Sequence, residues 1–127
     1  MKPYMKILVA YDGSTIADKA LNEAIILAEK FKGTIILIQV VWGKPDAEIR
    51  SKLKPVEEKI MKSGIKSKTR IECSEYPPRT IIRVAKDEAC DLITIGSRGL
   101  GDAKAWVMGS VSRRVIEEAL CPVLIVK

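Results

Sequence analysis

The fold is constrained most by an alternation of short apolar blocks with longer segments whose apolar residues recur every three or four positions. A nearly continuous apolar block predicts a strand buried on both faces, and the recurring pattern predicts a helix with one apolar face. Five strand-type segments alternate with four helix-type segments. The predicted strands run from Lys6 to Tyr11, Thr34 to Val41, Ile65 to Cys73, Asp91 to Ile95 and Pro122 to Val126.

The helix-type segments are delimited by capping and breaking residues. Ser14 can cap the first helix, and Gly33 follows its end. Pro45 opens a weaker second helix, in which Pro55 is expected to cause a kink or a break. The other two helices are predicted from Pro77-Pro78, with Ile82, Ala85 and Ala89 on the apolar face, and from Ser110 to Ala119.

This alternation predicts an α/β fold with a parallel sheet and helices on both faces. Right-handed crossovers limit the possible topologies. We predict a three-layer, doubly wound, five-stranded parallel sheet with strand order 3-2-1-4-5, in which the more polar strand from Ile65 to Cys73 lies at an edge. The 127 residues fit a single domain covering residues 1–127.

Composition argues against several classes of protein. The longest apolar run, Thr34 to Trp42, is far shorter than the roughly 20 residues needed to span a bilayer, so no membrane partner is expected. The N-terminal residues lack the apolar core of a signal peptide, which predicts a cytoplasmic location. A net charge of +6 suits an anionic ligand. With aromatic residues at 5%, base-stacking platforms are scarce and no nucleic-acid partner is expected.

The cysteine content does not predict a metal site. Cys73, Cys90 and Cys121 are widely spaced, and the chain has no histidine, whereas a zinc site needs closer pairs or histidine partners. No disulfide framework is expected, and we expect the thiols to be buried as small apolar groups. The Walker A pattern is also absent. We therefore assign no catalytic residue and no metal ligand.

The predicted topology indicates where a ligand would bind. In a doubly wound sheet, ligands bind beyond the carboxyl ends of the strands at the point where the winding reverses. For this strand order the point lies between the first and fourth strands, which end near Asp12 and Gly96. The segment that follows Gly96 is the most glycine-rich of the chain. A loop of this composition therefore begins at the predicted crevice.

The glycine-rich segment has features of a phosphate site. Glycine lets the backbone approach a phosphate closely, and Gly109-Ser110 stands at the start of a helix, where N–H groups are unpaired and the dipole is positive. Arg98 and Lys104 are nearby cations. Glycines that only turn the chain, and a serine that only caps the helix, would produce the same pattern, so these features alone leave both interpretations open.

The spacing of the glycines favours phosphate binding. The pattern consists of Gly96, two residues, Gly99, nine residues and then Gly109-Ser110. This pattern resembles the nucleotide signature of the ATP-binding universal stress proteins. The resemblance covers the whole chain, including the opening Lys6-Ile-Leu-Val-Ala-Tyr-Asp-Gly-Ser14 and the closing Cys121-Pro-Val-Leu-Ile-Val126. It implies a Rossmann-like, adenine nucleotide α-hydrolase-like fold. It also implies ATP as the ligand, with ADP or AMP as alternatives, and Mg²⁺ or Mn²⁺ held mainly by phosphate oxygens.

The resemblance implies a role for each candidate residue. Asp12 would accept hydrogen bonds from ribose hydroxyls or lie near the cation; the alternative is an aspartate that only forms the turn. Val40 would offer backbone groups to the adenine edge or be an ordinary core valine, and Tyr11 would stack near the base or crowd it. It also implies Ile95 and Gly96 at the sugar, and Gly99, Gly109, Ser110 and Val111 at the phosphates. The remaining candidates are Ala10 beside Tyr11 and, from the features of the glycine-rich segment itself, Arg98 as a cation and the Ser112 hydroxyl as a phosphate donor.

Three functions fit these residues. The first is a nucleotide-dependent regulatory or stress-response module that acts through an unidentified protein partner. The second is a slow ATP hydrolase, and the third is a scaffold that binds no nucleotide. A homodimer through the strand from Pro122 to Val126 is also expected, because that strand falls at a sheet edge and carries no charge.

Overall fold

The computed structural model describes residues 6–98 and 108–127, and within them nine elements alternate along the chain. They are β1 (Lys6–Ala10), α1 (Thr15–Phe31), β2 (Thr34–Val41), α2 (Ala47–Lys62), β3 (Ser67–Cys73), α3 (Pro77–Asp87), β4 (Leu92–Gly96), α4 (Ser110–Glu118) and β5 (Val123–Val126). The strands form one five-stranded sheet in the order β3-β2-β1-β4-β5, and all four neighbouring pairs are parallel. The predicted α/β fold and strand order are confirmed.

The sheet carries a hydrophobic cluster on each face. Side chains alternate along β1, so Ile7 and Val9 pack against α1 and α2, whereas Leu8 packs against α3 and α4. All three side chains are fully buried, as expected for a central parallel strand covered on both faces. None of the helices in the described ranges is long and apolar enough to cross a membrane.

The N-terminal end of α1 is as predicted from the sequence, whereas its C-terminal end differs from the prediction. Ser14 Oγ accepts a hydrogen bond from the Ala17 amide at 3.1 Å, which confirms the predicted N-cap. At the C-terminal end, Lys32 adopts the left-handed conformation with φ 56°, although Gly33 follows directly. The Gly33 amide donates to the Ala28 carbonyl at 2.8 Å. A lysine therefore occupies the position where glycine is most common.

Two expectations for the helices need correction. Pro55 does not split α2, which runs from Ala47 to Lys62, because its apolar residues, Leu53 among them, are buried against the sheet. In α3 the core-facing residues are Ile81, Val84 and Ala85, not the set containing Ile82 and Ala89. Ile82 is only half-buried, and Ala89 lies beyond the end of the helix and is exposed.

The two edges of the sheet differ in charge. On β3, Arg70 forms ion pairs with Glu72 at 3.2 Å and with Glu88, just beyond α3, at 3.1 Å. Glu88 also pairs with Lys68 at 2.9 Å. At the other edge, the four residues of β5 are all apolar and only half-buried. A charged edge resists pairing with further strands, whereas an apolar edge allows it.

Candidate functional site

A cavity of about 470 Å³ opens at the carboxyl ends of β1 and β4, where the winding of the sheet reverses. This volume is in the range of small-molecule sites. Gly99 and Lys104 lie outside the described residues, and every other candidate residue from the sequence lines the cavity. The strand β1 and the turn after it supply Ala10, Tyr11 and Asp12, and β2 supplies Val40. The strand β4 and the turn after it supply Ile95, Gly96 and Arg98. The start of α4 supplies Gly109, Ser110, Val111 and Ser112.

One side of the cavity, which we call the polar end, is formed by Asp12, Arg98 and Ser110. The N-termini of α1 and α4 both open here, as the lining residues Ala17 and Ser110 show. Among the described residues, the structure gives no hydrogen-bond partner for the Ser110 or Val111 amide. Amides in the first turn of a helix are unpaired within the helix, and the dipole is positive there. The polar end is therefore suited to an anion.

Gly109 has a different role from the one expected. Its amide donates to the Ser97 carbonyl at 2.8 Å, so it is already paired and does not point at a ligand. Gly109 is the N-cap of α4, with φ −64° and no side-chain cap. The hydrogen bond joins the start of α4 to the end of β4. Gly109 thus positions the amides that follow it.

Ser112 also has a structural role. Its hydroxyl donates to the Gly96 carbonyl at 2.6 Å, and the residue is 3% exposed. Because a hydroxyl carries one hydrogen, it cannot donate to a phosphate at the same time. The expectation that the Ser112 hydroxyl contacts a phosphate is therefore wrong for this arrangement. The bond fixes α4 against the carboxyl end of β4, whereas the Ser110 side chain is exposed at the cavity.

Asp12 lines the cavity and also shapes the turn after β1. Its Oδ1 atom accepts a hydrogen bond from the Ser14 amide at 2.9 Å, and Gly13 between them has φ +87°. This is an Asx-type turn, which holds the carboxylate in a fixed orientation. The two roles weighed for Asp12 are compatible, since the same carboxylate forms the turn and borders the cavity.

The Tyr11 side chain is held by α1. Its hydroxyl donates to Asp18 Oδ1 at 2.6 Å, and its ring packs against the cluster on the α1 and α2 face. Burial, together with the Asp18 hydrogen bond and the Asp18 and Asp12 charges, raises the pKa of the Tyr11 phenol above its ordinary value. Tyr11 is therefore a neutral hydrogen-bond donor that supports the cavity wall next to Asp12.

Apolar lining residues come from β2 and α3, on the side of β1 away from β4, and we call this part of the cavity the apolar end: Ile38, Val40, Pro77 and Ile81. The helix α3 begins here with Pro77-Pro78. Proline has no backbone N–H group, so this helix start lacks the two donors that a helix usually presents first. The three helix starts around the cavity thus differ: α4 offers amides, the Ala17 amide of α1 is capped by Ser14, and α3 offers hydrocarbon.

The lining residues that sequence reasoning missed are Ala17, Ile38, Pro77 and Ile81. A signal existed for two of them. Ile38 lies two positions before Val40 and therefore faces the same side of β2, and Pro77 opens a helix at the carboxyl edge of the sheet. Ile81 could not be identified while the inward face of α3 was assigned one residue too late.

Comparisons with known proteins agree with this architecture. The Universal stress protein family matches residues 3–127. The universal stress protein YxiE of Bacillus subtilis is 31% identical over an alignment of 148 positions, gaps included, which covers 98% of this chain and 99% of that protein. A universal stress protein of Archaeoglobus fulgidus in complex with dAMP is 26% identical, with a TM-score of 0.80 over 99% of this chain and 100% of that one. UspA of Lactobacillus plantarum, 23% identical over the full length of both chains with a TM-score of 0.87, shares the fold. The chain belongs to the universal stress protein family.

Proposed function

We propose that this protein binds ATP in the cavity and acts as a nucleotide-dependent regulatory module through a protein partner. The observation that carries the proposal is the lining of one cavity, which joins the start of α4, whose first amides have no partner among the described residues, to apolar side chains from β2 and α3. A nucleotide has the same division, since its phosphates need donors and its base presents a flat, largely apolar face. The A. fulgidus relative solved with dAMP supports the proposal.

The phosphates would lie at the polar end. The Ser110 and Val111 amides, the Ser110 hydroxyl and the Arg98 guanidinium supply donors from two sides, and Gly99 is retained as a candidate from the sequence. Gly109 and Ser112 would hold α4 in place without donating to the ligand, because their N–H and O–H groups are used within the protein.

The base and sugar would lie against the apolar end and the middle of the cavity. Val40 would present backbone groups to the edge of the adenine, and Pro77 and Ile81 would cover its face. Ile95 and Gly96 would border the sugar. The Asp12 carboxylate, fixed by its bond to the Ser14 amide, would accept the ribose hydroxyls or lie near the cation.

The cation would be held mainly by the nucleotide. In the described part of the chain there is no group of three or more His, Cys, Asp or Glu residues placed to hold a metal ion. Mg²⁺ or Mn²⁺ bound through phosphate oxygens requires no such group. It would neutralise phosphate charge beside the two helix starts.

Self-association and partner binding would use surfaces outside the cavity. The apolar edge at β5, together with Leu120, which is 85% exposed, suits a homodimer that pairs two fifth strands. Nucleotide binding at the start of α4 would change the surface offered to a protein partner. Sedimentation of the purified chain as a monomer at micromolar concentration would contradict the dimer.

Isothermal titration of ATP with Mg²⁺, and of adenosine, tests the proposal. Arg98→Ala removes a cation from the polar end and should weaken ATP binding roughly tenfold, the equivalent of one charge-assisted hydrogen bond, with adenosine affinity unchanged. Arg113→Ala is the matched control, because Arg113 is exposed on α4 and does not line the cavity. Mass spectrometry of small molecules released from freshly purified protein should show an adenine nucleotide.

The two other candidate functions predict different results. A scaffold would carry no nucleotide after purification, and ATP with Mg²⁺ would leave its unfolding temperature unchanged. A slow hydrolase would produce ADP, and Asp12→Ala would abolish this production while ATP still binds. Equal affinities for ATP and adenosine would contradict the assignment of phosphate to the polar end.

A further inference from the structure

Two of the three cysteines lie together at the amino-terminal edge of the sheet, opposite the nucleotide cavity. Cys90 precedes β4 and Cys121 precedes β5. These strands are hydrogen-bonded neighbours, with Ile93 paired to Val123 and the Ile93 amide bonded to the Pro122 carbonyl at 3.0 Å. Cys90 and Cys121 each stand two residues before the start of one of these two strands.

Both thiols face the same space. Cys90 and Cys121 pack against the hydrophobic cluster on the α3 and α4 face, and both line a second cavity of about 130 Å³. Each is half-buried, whereas Cys73 is exposed on β3 at the outer edge of the sheet. The sequence-based expectation of three buried cysteines is therefore wrong for Cys73. Cys90 and Cys121 pack against apolar residues as expected, and they also border one cavity together.

We propose that Cys90 and Cys121 are a modification site: exposed to a small disulfide such as oxidised glutathione, they join in an intramolecular disulfide. Neighbouring strands lie about 4.8 Å apart with a rise of about 3.3 Å per residue. The separation of neighbouring strands is within the usual Cα–Cα range for disulfides, about 4.4–6.8 Å, and Cys90 and Cys121 line one cavity beside such a pair of strands. The pairing adds no charge to the apolar cavity.

The reaction balances with one molecule of oxidised glutathione. Cys121, deprotonated to the thiolate, attacks one sulfur of glutathione disulfide and releases the first glutathione. The Cys90 thiol then loses its proton to water and attacks the Cys121 sulfur, which releases the second glutathione. Two protein thiols are oxidised, one glutathione disulfide is reduced to two thiols, and the new bond is Cys90 Sγ–Cys121 Sγ.

The surroundings of the pair favour a stable bond that forms slowly. Burial raises the pKa of the Cys90 thiol to about 12, and burial also raises the pKa of Cys121. Few thiolates are present at neutral pH, which slows attack. The same burial disfavours the charged leaving group when a reductant attacks the bond, so the disulfide is also slow to break.

The bond would close a loop that contains the polar end of the nucleotide cavity. Residues between Cys90 and Cys121 include β4, Arg98 and the start of α4. A closed loop has fewer conformations in the unfolded chain. Oxidation is therefore expected to raise the unfolding temperature by roughly 5–10 °C.

The test uses the full chain with Cys73→Ser, so that the exposed thiol cannot link two molecules. The protein is equilibrated with mixtures of oxidised and reduced glutathione, with and without urea, and the products are identified by intact mass and peptide mapping. We expect a Cys90–Cys121 link within one chain. The effective concentration of the two thiols is the squared concentration of reduced glutathione divided by the concentration of glutathione disulfide at half-oxidation. It should be at least about tenfold higher in the folded chain than in the unfolded chain.

Two further variants separate the proposal from general thiol reactivity. With Cys90→Ser or Cys121→Ser added to Cys73→Ser, the remaining thiol should give only a mixed disulfide with glutathione. Far-UV circular dichroism establishes whether each variant is folded. A folded Cys73→Ser chain that forms only mixed or intermolecular disulfides would overturn the proposal, as would equal effective concentrations in the folded and urea-unfolded states.

Discussion

Replacing Gly96 by alanine should destabilise the protein through one specific contact. Gly96 ends β4 directly beneath the first turn of α1. A Cβ atom at this position would lie 2.5 Å from Ile16 Cγ2, 3.2 Å from Ile16 Cβ and 3.3 Å from the Arg98 carbonyl oxygen. Carbon atoms in contact normally lie about 3.5–4.0 Å apart. Rotating the Ile16 side chain moves Cγ2 but not Cβ, so α1 or β4 must also shift.

The expected cost follows from these distances. Overpacking of a buried site destabilises by about 1–3 kcal/mol. Alanine restricts the unfolded chain more than glycine, which returns about 0.5–1 kcal/mol. Gly96→Ala should therefore lower the free energy of unfolding by about 1–2 kcal/mol. For a chain of this length, this corresponds to a decrease in unfolding temperature of roughly 4–8 °C.

Urea unfolding of a double-mutant cycle with Ile16 tests whether this contact is the cause. Ile16→Ala removes Cγ2, the closest of the three contacts, and leaves the contacts at 3.2 Å and 3.3 Å, so Gly96→Ala should cost about half as much or less in that background. Ile16→Val is the matched control, because valine keeps a methyl group at the Cγ2 position and the cost should remain about 1–2 kcal/mol. If Gly96→Ala cost the same in the wild-type, Ile16→Ala and Ile16→Val backgrounds, the reasoning would be refuted. A cost of Gly96→Ala below about 0.5 kcal/mol in the wild-type background would also refute it.

Two further predictions concern a buried hydroxyl and an ion-paired carboxylate. Thr94 Oγ1 is fully buried without a hydrogen-bond partner among the described residues, so Thr94→Val should raise the free energy of unfolding by about 1 kcal/mol in urea melts; a loss of stability would contradict this. The hydrogen bond from Lys68, opposed by burial and reinforced by Arg70, holds the pKa of Glu88 below its usual range. The stabilisation that the ionised Glu88 carboxylate gives the folded chain is therefore present above the ordinary glutamate pKa of about 4.3. It is lost as the pH falls through the lower pKa of the folded state. Thermal melts from pH 7 to pH 2.5 should show Glu88→Gln less stable than wild type at neutral pH, with the gap closing in acid. Glu58→Gln, at an exposed position on α2, should show no such convergence, and a gap for Glu88→Gln that is constant with pH would contradict the assignment.

Much of the fold was predictable because its signals are local and repeated. Each core strand is an apolar run, and the alternation of strands with helices limits the sheet to a few orders. The position of the cavity followed from that order. The residues predicted least well depend on which partner a polar group finds in three dimensions. Nothing in the spacing of the glycines indicates that the Gly109 amide binds the Ser97 carbonyl, or that the Ser112 hydroxyl binds the Gly96 carbonyl.

The inward face of α3 was difficult for a related reason. Ile81 and Ile82 are adjacent, and either can begin a pattern of three and four. The choice is made by contact with β2 and with α4, which brings Ile81, Val84 and Ala85 into one cluster. Sequence periodicity predicts that α3 has an apolar face. Which of its residues point toward the core is set by the neighbouring elements.

The unequal edges of the sheet limit how many copies of this chain can associate through strand pairing. At β3, Lys68, Arg70 and Glu72 are already engaged in ion pairs, and a strand arriving there would have to displace them or lie beside their charges. Of the two edge strands in the described sheet, β5 is the one that offers an uncharged row of backbone groups. Two chains that met through this edge would carry their β3 edges outward at both ends, so growth would stop at two. The charged β3 edge would in this way keep strand pairing through β5 from extending into a fibre.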